Sequence, residues 1–382
     1  MTPAPTHSLV QLLPPGHGGV RDYALALQAQ WAAHGRQTWL MDLSAAQVRS
    51  RRLADQLADL GRQEPGGAVL SLVLHFSGYG YARRGLCFWL LDELRHARTA
   101  LGAQMRLLVV FHELYATGPP WRSAFWVSGL QQRIAAQLAR QADALWTNSE
   151  SHAAWLRYAV TSADRRDADL AAMAVVAEPV AMGVQPVFSN VGEPELRVMP
   201  GERLPQAIVF GAAPTRQRVF NALRAAPGHG DALRARGIEQ LIEVGGGQTD
   251  AKGLELARIE RGRLDSTALG AALLDSRWAL IDYPRALLGK SSVFAAYAAH
   301  GCAVLNCRDD AGPDVDGLQR DRHYVDAATW QRDLAAMASG QALEGIDRAE
   351  AFTLALCDWY GGHRLADQAD GMWALATQGC TE

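Results

Sequence analysis

Short apolar runs alternate along the chain with longer segments whose apolar residues recur at helical spacing. Tyr23, Leu27 and Trp31 show that spacing and predict a helix over 20–34. Strands are predicted at 9–13, 37–41, 68–75, 106–111, 143–147 and 174–177, and further helices at 89–101 and 127–141. Strands and helices that alternate in this way are typical of a parallel sheet with helices on both faces.

One polar break divides the chain. Residues 189–206 hold Pro and Gly and are typical of a linker. Beyond it, strands are predicted at 207–210, 240–244, 278–281 and 303–306, and helices at 218–225 and 348–377. We therefore expect two doubly wound α/β domains, 1–188 and 207–350, that face a cleft. The C-terminal helices, 351–382, are expected to pack back on the N-terminal domain.

Composition places the chain among folded globular proteins and narrows its partners. A chain of 382 residues is longer than one hydrophobic core usually serves, so we expect two domains. The fractions of 49% hydrophobic and 20% charged residues are those of a folded globular protein. A net charge of −3 gives no reason to expect nucleic acid as a partner. The five cysteines include no CxxC pair, so neither a zinc site nor a disulfide framework is expected.

Two further patterns bear on localisation. The N-terminal sequence MTPAPTHSLVQLLPPG lacks the basic start and long apolar run of a signal peptide. No window approaches the roughly 20 apolar residues of a membrane span. We expect a cytoplasmic protein with reduced thiols, at most peripheral at the inner face of the membrane.

The stretch 283–305 contains the strongest candidate for an anion site. Lys290, Ser291 and Ser292 stand directly before an apolar helix. Backbone N–H groups and hydroxyls at a helix N-terminus attract phosphate, and the lysine adds a cation. An ordinary strand–turn–helix junction is the alternative interpretation.

Glycines follow two other predicted strands. Gly18 and Gly19 precede the first helix, where a backbone can approach a ligand closely. Their run is not GxGxxG, so a dinucleotide site is not expected. Gly211 opens the second domain, and Arg216 and Arg218 follow it with guanidinium groups that fit a diphosphate. A solvated basic helix start is the alternative for both arginines.

Three further positions complete the candidates. Gly246 lies in a run of three glycines that either contacts a nucleotide or forms a plain loop. His112 and Glu113 stand at the carboxyl end of a strand, where such sheets place reactive groups, although a structural histidine is the alternative. Tyr79 belongs to a set of aromatic and arginine residues between 78 and 141 that either stack on sugars, contact lipid head groups, or pack in the core.

In their order, these motifs resemble those of GT-B glycosyltransferases, in particular the retaining, nucleotide-sugar-dependent type of family 4, glycosyl transferases group 1. The Gly18-Gly19 loop resembles the family's Gly-Gly loop near the acceptor, and His112 its His-Asp or His-Glu point. Phe210-Gly211 resembles the start of the donor domain. The stretches 142–149, 181–188 and 301–304 resemble its Ala-Asp…Thr-x-Ser, Pro-Asn-Gly-Val-Asp…Phe and Cys-Gly-x-Pro-Val motifs.

The resemblance implies two Rossmann-like domains and a metal-independent, cofactor-free transfer of a sugar. The donor would be a nucleotide sugar, and the acceptor a glycan, a lipid-linked intermediate or a small molecule. His112 and Glu113 would be catalytic, with Gly18, Gly19 and Tyr79 on the acceptor side. The donor would lie against Gly211, Arg216, Arg218, Gly246, Lys290, Ser291 and Ser292.

One departure from the family pattern opens an alternative. The two donor-site glutamates of the family fall here near Leu288 and Ala296, and neither supplies a carboxylate. Either the donor is held differently, through Lys290, Ser291 and Ser292, or the chain is a GT-B protein that binds a nucleotide, a glycan or a partner without transferring sugar. The oligomeric state is left open by the sequence.

Overall fold

The structure, a computed structural model, describes residues 8–63, 69–117, 121, 123–161, 180–195, 198–341 and 346–378. The chain divides into two compact units. The N-terminal unit comprises Met1–Gln185 and Leu365–Glu382, and the C-terminal unit comprises Pro186–Arg364. Each unit is built on a parallel sheet flanked by helices, which confirms the predicted fold class.

The sheet of the N-terminal unit has the strand order β2-β1-β3-β4-β5-β6, all parallel. Its strands are β1 (Ser8–Leu13), β2 (Thr38–Asp42), β3 (Leu70–Phe76), β4 (Met105–Phe111), β5 (Ala144–Thr147) and β6 (Ala181–Val184). Every residue of β1 and β3 is buried, as expected for central strands covered on both faces. The strand predicted at 174–177 lies outside the described residues.

Helices connect these strands at or near the predicted positions. They are α1 (Gly19–Ala33), α2 (Ala45–Ser50), α3 (Leu53–Gln63), α4 (Gly78–Tyr81), α5 (Phe88–Leu101), α6 (Ser123–Gln141) and α7 (Glu150–Thr161). Tyr23, Leu27 and Trp31 form a buried stripe on α1, as their spacing predicts.

The sheet of the C-terminal unit has the strand order β11-β10-β7-β8-β9, again all parallel. Its strands are β7 (Leu204–Phe210), β8 (Gln240–Val244), β9 (Ala257–Glu260), β10 (Ser276–Ile281) and β11 (Ala303–Asn306). Its helices are α8 (Ala213–Arg224), α9 (His229–Ala235), α10 (Ser266–Asp275), α11 (Ser292–Ala299), α12 (Ala327–Ala338) and α13 (Ile346–Gly361). Strand order reverses beside β7, between β8 and β10.

The linker and the C-terminal tail differ from the prediction. Residues 189–206 belong to the C-terminal unit, because β7 already begins at Leu204 and the Ser189 N–H donates to the Tyr360 hydroxyl at 2.7 Å. Helix α13 stays in that unit too. The part of the tail that joins the N-terminal unit is the last helix, α14 (Leu365–Thr377).

Helix α14 is tied to the N-terminal unit by hydrogen bonds from residues far away in sequence. The Trp31 indole donates to the Ala369 carbonyl at 2.8 Å, and the Tyr23 hydroxyl donates to Gln368 at 3.0 Å. The Ser71 hydroxyl donates to the Ala376 carbonyl at 2.9 Å. Because these groups are buried, the N-terminal unit needs the C-terminus of the chain to satisfy them.

We expect Met372→Ala to destabilise the N-terminal unit by about 2–5 kcal/mol, since Met372 is completely buried on α14 and its loss leaves a cavity. The matched control is Leu25→Ala on α1, where the side chain is 43% exposed and the cost should stay below about 0.5 kcal/mol. Urea unfolding measures both. Equal costs would show that α14 does not complete this core.

Candidate functional site

In the N-terminal unit, the loops after β1 and β3 meet at the carboxyl edge of the sheet. Strand order reverses beside β1, and ligands of parallel sheets bind at such a point. Gly80, in the loop after β3, lies so close to the loop after β1 that a Cβ there would be 2.8 Å from the Cβ of Pro14. The two loops can therefore pack together only because residue 80 has no side chain.

The predicted acceptor-side residues lie where the chain leaves β1 and β3, in the loop and the first helical residues that follow each strand. Gly18 precedes α1 with φ of 150°, and Gly19 is the first residue of the helix. Both are exposed, with open space where a Cβ would stand. Tyr79 lies in α4 and is 51% exposed. This placement leaves room for a ligand, and the acceptor role stays a prediction.

His112 and Glu113 directly follow β4 at the same edge. The backbone N–H of His112 continues the ladder by donating to the Phe76 carbonyl at 3.0 Å. His112 is half-buried, and the Tyr23 ring meets it edge-on with centroids 4.9 Å apart. The Ser77 hydroxyl donates to the exposed carboxylate of Glu113 at 3.0 Å. Both side chains are thus oriented by residues of neighbouring elements.

A second histidine, which the sequence reasoning missed, contacts His112. His75 is completely buried in β3, with Nδ1 3.0 Å from Nε2 of His112 and Nε2 2.9 Å from Oε1 of Gln11. The two imidazole planes are within 19° of parallel and their centroids are 5.3 Å apart, so the rings meet edge to edge through these nitrogens. Burial, and secondarily the neighbouring His112, holds the pKa of His75 well below its ordinary value. His75 is therefore neutral at physiological pH.

In the C-terminal unit, a pocket of about 350 Å³ opens at the carboxyl ends of β7 and β8. It is lined by Phe210, Gly211, Ala212, Ala213, Val244, Gly245, Gly246, Arg263, Leu264 and Leu269. Helix α8 begins at Ala213, and no described side chain caps it by a hydrogen bond. Pro214 has no N–H and the Thr215 N–H donates to the Ala212 carbonyl at 2.9 Å, so what the helix offers at this edge is chiefly the positive end of its dipole.

Arg263 supplies a positive charge in this pocket. Its side chain is exposed, and a Cβ on Gly246 would lie 3.3 Å from its Nη2 atom. The sequence reasoning missed Arg263, because the short strand β9 that precedes it was not predicted. The signal was present: Gly262-Arg263 follows β9 as glycines follow β7 and β8.

Arg216 has a different place from the one predicted. It is completely buried, and its guanidinium donates to the Glu243 carboxylate from Nε at 2.7 Å. Its Nη1 donates to the carbonyls of Gly211 and Gly246, and its Nη2 to those of Gly246 and Gly247. All five N–H groups of an arginine are thereby engaged. We therefore correct its predicted role: Arg216 joins the two glycine loops and has no N–H left for a diphosphate.

Gly245 allows Arg216 and the loops after β7 and β8 to pack this closely. Its φ is 146°, and a Cβ would lie 2.3 Å from the Gly211 carbonyl oxygen and 2.1 Å from Nη1 of Arg216. A side chain at this position would displace either the arginine or the loop after β7. The glycine run therefore serves close packing between the loops that form the pocket.

The other predicted donor residues of this unit lie outside the pocket lining. Arg218 is 44% exposed at its side chain and faces Asp282 at 3.6 Å. Lys290 is half-buried at the end of a 3-10 turn, and Ser292 is the exposed first residue of α11. Ser291 caps α11 by accepting from the Phe294 N–H at 3.2 Å. A donor contact by these residues stays a prediction.

Comparison with known proteins gives a match in structure and none in sequence. No protein-family model matches the chain, and no curated protein is significantly similar to it. HepE of Anabaena, solved in complex with UDP-glucose, is 10% identical with a TM-score of 0.53, covering 96% of this chain and 99% of its own. A UDP-forming α,α-trehalose-phosphate synthase from Burkholderia xenovorans, in complex with glucose-6-phosphate, is 12% identical with a TM-score of 0.54, covering 97% and 100%. A glycosyltransferase from Rickettsia africae is 9% identical with a TM-score of 0.55, covering 98% of each chain.

This chain has the GT-B fold. Similarity over nearly the whole of each chain, together with two parallel sheets, carries that conclusion. Identities near 10% show the fold and leave substrate and chemistry to be argued from the site.

The two residues near which the resemblance sets the family's donor-site glutamates are apolar. Leu288 and Ala296 are both completely buried in the core of the C-terminal unit, where an unpaired carboxylate would be costly. A carboxylate from another part of the chain lies beside Gly289. A Cβ on Gly289 would be 2.5 Å from Oδ2 of Asp316, which is buried and has a left-handed φ of 58°.

A cluster of metal ligands and a membrane-spanning helix are both absent from the described part of the chain. No group of three or more His, Cys, Asp or Glu side chains in those residues is placed to hold a metal ion. No helix among them is both long enough and apolar enough to cross a bilayer. Metal-independent chemistry and the predicted localisation stay predictions.

We expect Arg216→Ala to lower the free energy of unfolding by about 3–5 kcal/mol, because three carbonyls lose their donor and the buried Glu243 carboxylate keeps only Thr249 and Arg258. Arg218→Ala is the matched control, from the same helix but half-exposed. It should cost no more than about 1 kcal/mol. Chemical unfolding measures both, and a mild effect at Arg216 would show that it does not hold the loops.

Stability of the C-terminal unit should also fall in acid. Burial raises the pKa of Glu243, but hydrogen bonds from Thr249 and Arg216, and the charge of Arg258, outweigh it and lower the pKa. A carboxyl with a lowered folded pKa stabilises the fold above its unfolded pKa, near 4.3, and this contribution is lost as pH falls through the folded pKa. Urea titrations from neutral to acidic pH should show a shallower loss in Glu243→Gln. The same pH dependence in both proteins would contradict this assignment.

Proposed function

We propose that this protein is a glycosyltransferase that uses a nucleoside diphosphate sugar, with the nucleotide part bound in the pocket between the loops after β7 and β8. One observation carries the proposal: a pocket lined in part by glycines at the N-terminus of α8, with the exposed cation Arg263 in its lining. Helix N-termini and guanidinium groups are the donors that phosphate oxygens prefer. HepE, which shares the fold, was solved with UDP-glucose.

The N-terminal unit would supply the acceptor side and the catalytic pair. The open loop at Gly18 and Gly19 and the half-exposed Tyr79 would contact the acceptor, which is a glycan, a lipid-linked intermediate or a small molecule. His112 and Glu113 would orient the reacting hydroxyl groups, since each is held by a hydrogen bond from a neighbouring strand or loop.

In the proposed reaction, the C-terminal unit would stabilise the leaving diphosphate. Negative charge develops there as the bond to the sugar breaks, and fixed N–H groups with Arg263 would stabilise it without a metal ion. The resemblance to retaining enzymes leads us to propose retention of the anomeric configuration. Lys290 and Ser292 would act as further donor contacts.

Calorimetric titration against UDP-, GDP-, dTDP- and ADP-sugars, with and without EDTA, tests donor binding. We expect one nucleotide class to bind and EDTA to leave the affinity unchanged. A bound donor also stabilises the fold, by about 2.7 kcal/mol at 100 times its Kd. Absence of binding by every donor would overturn the proposal, and loss of binding in EDTA would overturn its metal independence.

We expect Arg263→Ala to weaken the selected donor about 10-fold or more, since a charge-assisted hydrogen bond contributes about 1.5–3 kcal/mol. Arg261→Ala is the matched control, because Arg261 is also exposed and lies two residues away, but does not line the pocket. The Kd of each variant for the donor shows whether Arg263 contributes more to donor binding than Arg261 does. Equal losses would show a general charge effect instead of a contact in the pocket.

A second function is favoured by the buried, apolar Leu288 and Ala296 in place of the family's glutamates. The chain would then bind a nucleotide, a glycan or a partner without transferring sugar. Turnover separates the two functions. Release of nucleoside diphosphate from a bound donor, even by slow hydrolysis, supports the transferase, whereas donor binding without release supports the binding protein.

Peripheral membrane contact is a further part of the proposal. Trp121 and Trp126 are 84% and 75% exposed, and Phe125 beside them is 45% exposed, which suits insertion at a lipid interface. Sedimentation with vesicles of anionic lipid tests it. The wild type should co-sediment and Trp126→Ser should do so less, while equal recovery in the supernatant would overturn the contact.

A further inference from the structure

A series of hydrogen bonds in the N-terminal unit fixes the position of a proton on each of two histidines. It starts at Gln11 in β1, whose Nε2 lies 3.2 Å from the Ala24 carbonyl oxygen of α1. A carbonyl only accepts, so this end of the amide must be the NH₂ group. The amide oxygen then lies 2.9 Å from Nε2 of His75. Because that oxygen also only accepts, His75 must donate from Nε2.

The proton position on His75 in turn determines which ring nitrogen of His112 carries a proton. A neutral imidazole that donates from Nε2 accepts at Nδ1, and the complete burial of His75 favours its neutral form. Its Nδ1 atom lies 3.0 Å from Nε2 of His112. His112 must therefore carry a proton on Nε2. The hydrogen bond to His75 and the edge contact from Tyr23 hold the plane of the ring.

We propose that Gln11 and His75 are positioning residues that hold His112 as the tautomer with Nε2 protonated. Nδ1 is then the nitrogen of His112 that gains or loses a proton, and any contact between a ring nitrogen and a substrate is made there. In the neutral ring this nitrogen accepts. It fits a group that donates, such as a hydroxyl, and does not fit a carbonyl or phosphate oxygen. The catalytic consequence rests on the proposed function, whereas the tautomer does not.

The tautomer is measured directly on the full chain labelled with ¹⁵N. Long-range proton–nitrogen spectra at mildly alkaline pH distinguish the two ring nitrogens, and His75→Asn and His112→Asn assign the signals. We expect His75 and His112 both to carry the proton on Nε2. His300 is an internal control with the opposite tautomer, since its Nδ1 lies 2.8 Å from the Ala296 carbonyl oxygen and must donate. A proton on Nδ1 of His112, or a mixture of tautomers, would overturn the proposal.

Two variants of His75 test its effect on His112. In His75→Asn the side-chain oxygen stands about where Nδ1 stood and still accepts from His112, whereas His75→Leu offers no acceptor. In the leucine variant we expect a mixture of His112 tautomers and a loss of about 10-fold or more in kcat/KM, the effect known for outer groups that orient an imidazole ligand. The asparagine variant should recover most of both. Equal losses in the two variants would indicate packing alone and overturn the positioning role.

The two proposals fail separately. The spectra need no substrate, so the expected tautomers together with no release of nucleotide from any donor would overturn the transferase and keep the positioning role. Sugar transfer by a protein whose His112 is protonated on Nδ1 would do the reverse. Melting curves of the variants show whether each is folded before its kinetics are read.

Discussion

Both units depend on one constraint, the covering of a parallel sheet on both faces. The central strands are buried along their whole length, as in β1, β3 and β10. Side chains within such strands must be apolar or must satisfy one another, and groups that meet a ligand can stand only where the strands end. The glycine loops, His112, Glu113 and Arg263 all follow this rule. Among the buried polar side chains within strands, Gln11 and His75 satisfy each other, Ser71 donates to α14, and Glu243 binds Arg216.

Much of the fold could be predicted because the apolar runs are distinct from the segments between them. The structure places β8 and β11 at the predicted residues, and the ends of other predicted strands differ by a few residues. Strand β9 was missed because it has four residues at the sheet edge, three of them exposed, so its sequence carries no apolar pattern. The tail was predicted as helices that all pack on the N-terminal domain, yet residues 362–364 separate α13 from α14, and the two helices belong to different units.

The candidate site was predicted less well, for a reason that Arg216 and Arg263 illustrate. Both are arginines near a glycine that follows a strand, and the sequence favours Arg216 because the strand before it is obvious. One-dimensional spacing does not tell whether a long side chain turns inward to a buried carboxylate or outward to a pocket. Here Glu243 is buried inside β8 and binds Arg216, whereas Glu260, the carboxylate that ends β9, is exposed and pairs with Arg258 at 3.2 Å. His75 was missed for a similar reason, since a histidine at the end of an apolar run gives no sign of the residue it faces.

The return of α14 to the N-terminal unit has a consequence for how the protein is made. In chain order the C-terminal unit is an insertion between the two segments of the other unit, so all of its residues leave the ribosome before α14 does. The bonds that Trp31, Tyr23 and Ser71 donate to α14 can form only once that helix has been made, after the whole of the C-terminal unit. The N-terminal unit is therefore completed later than the C-terminal unit, although residues 1–185 are made before it.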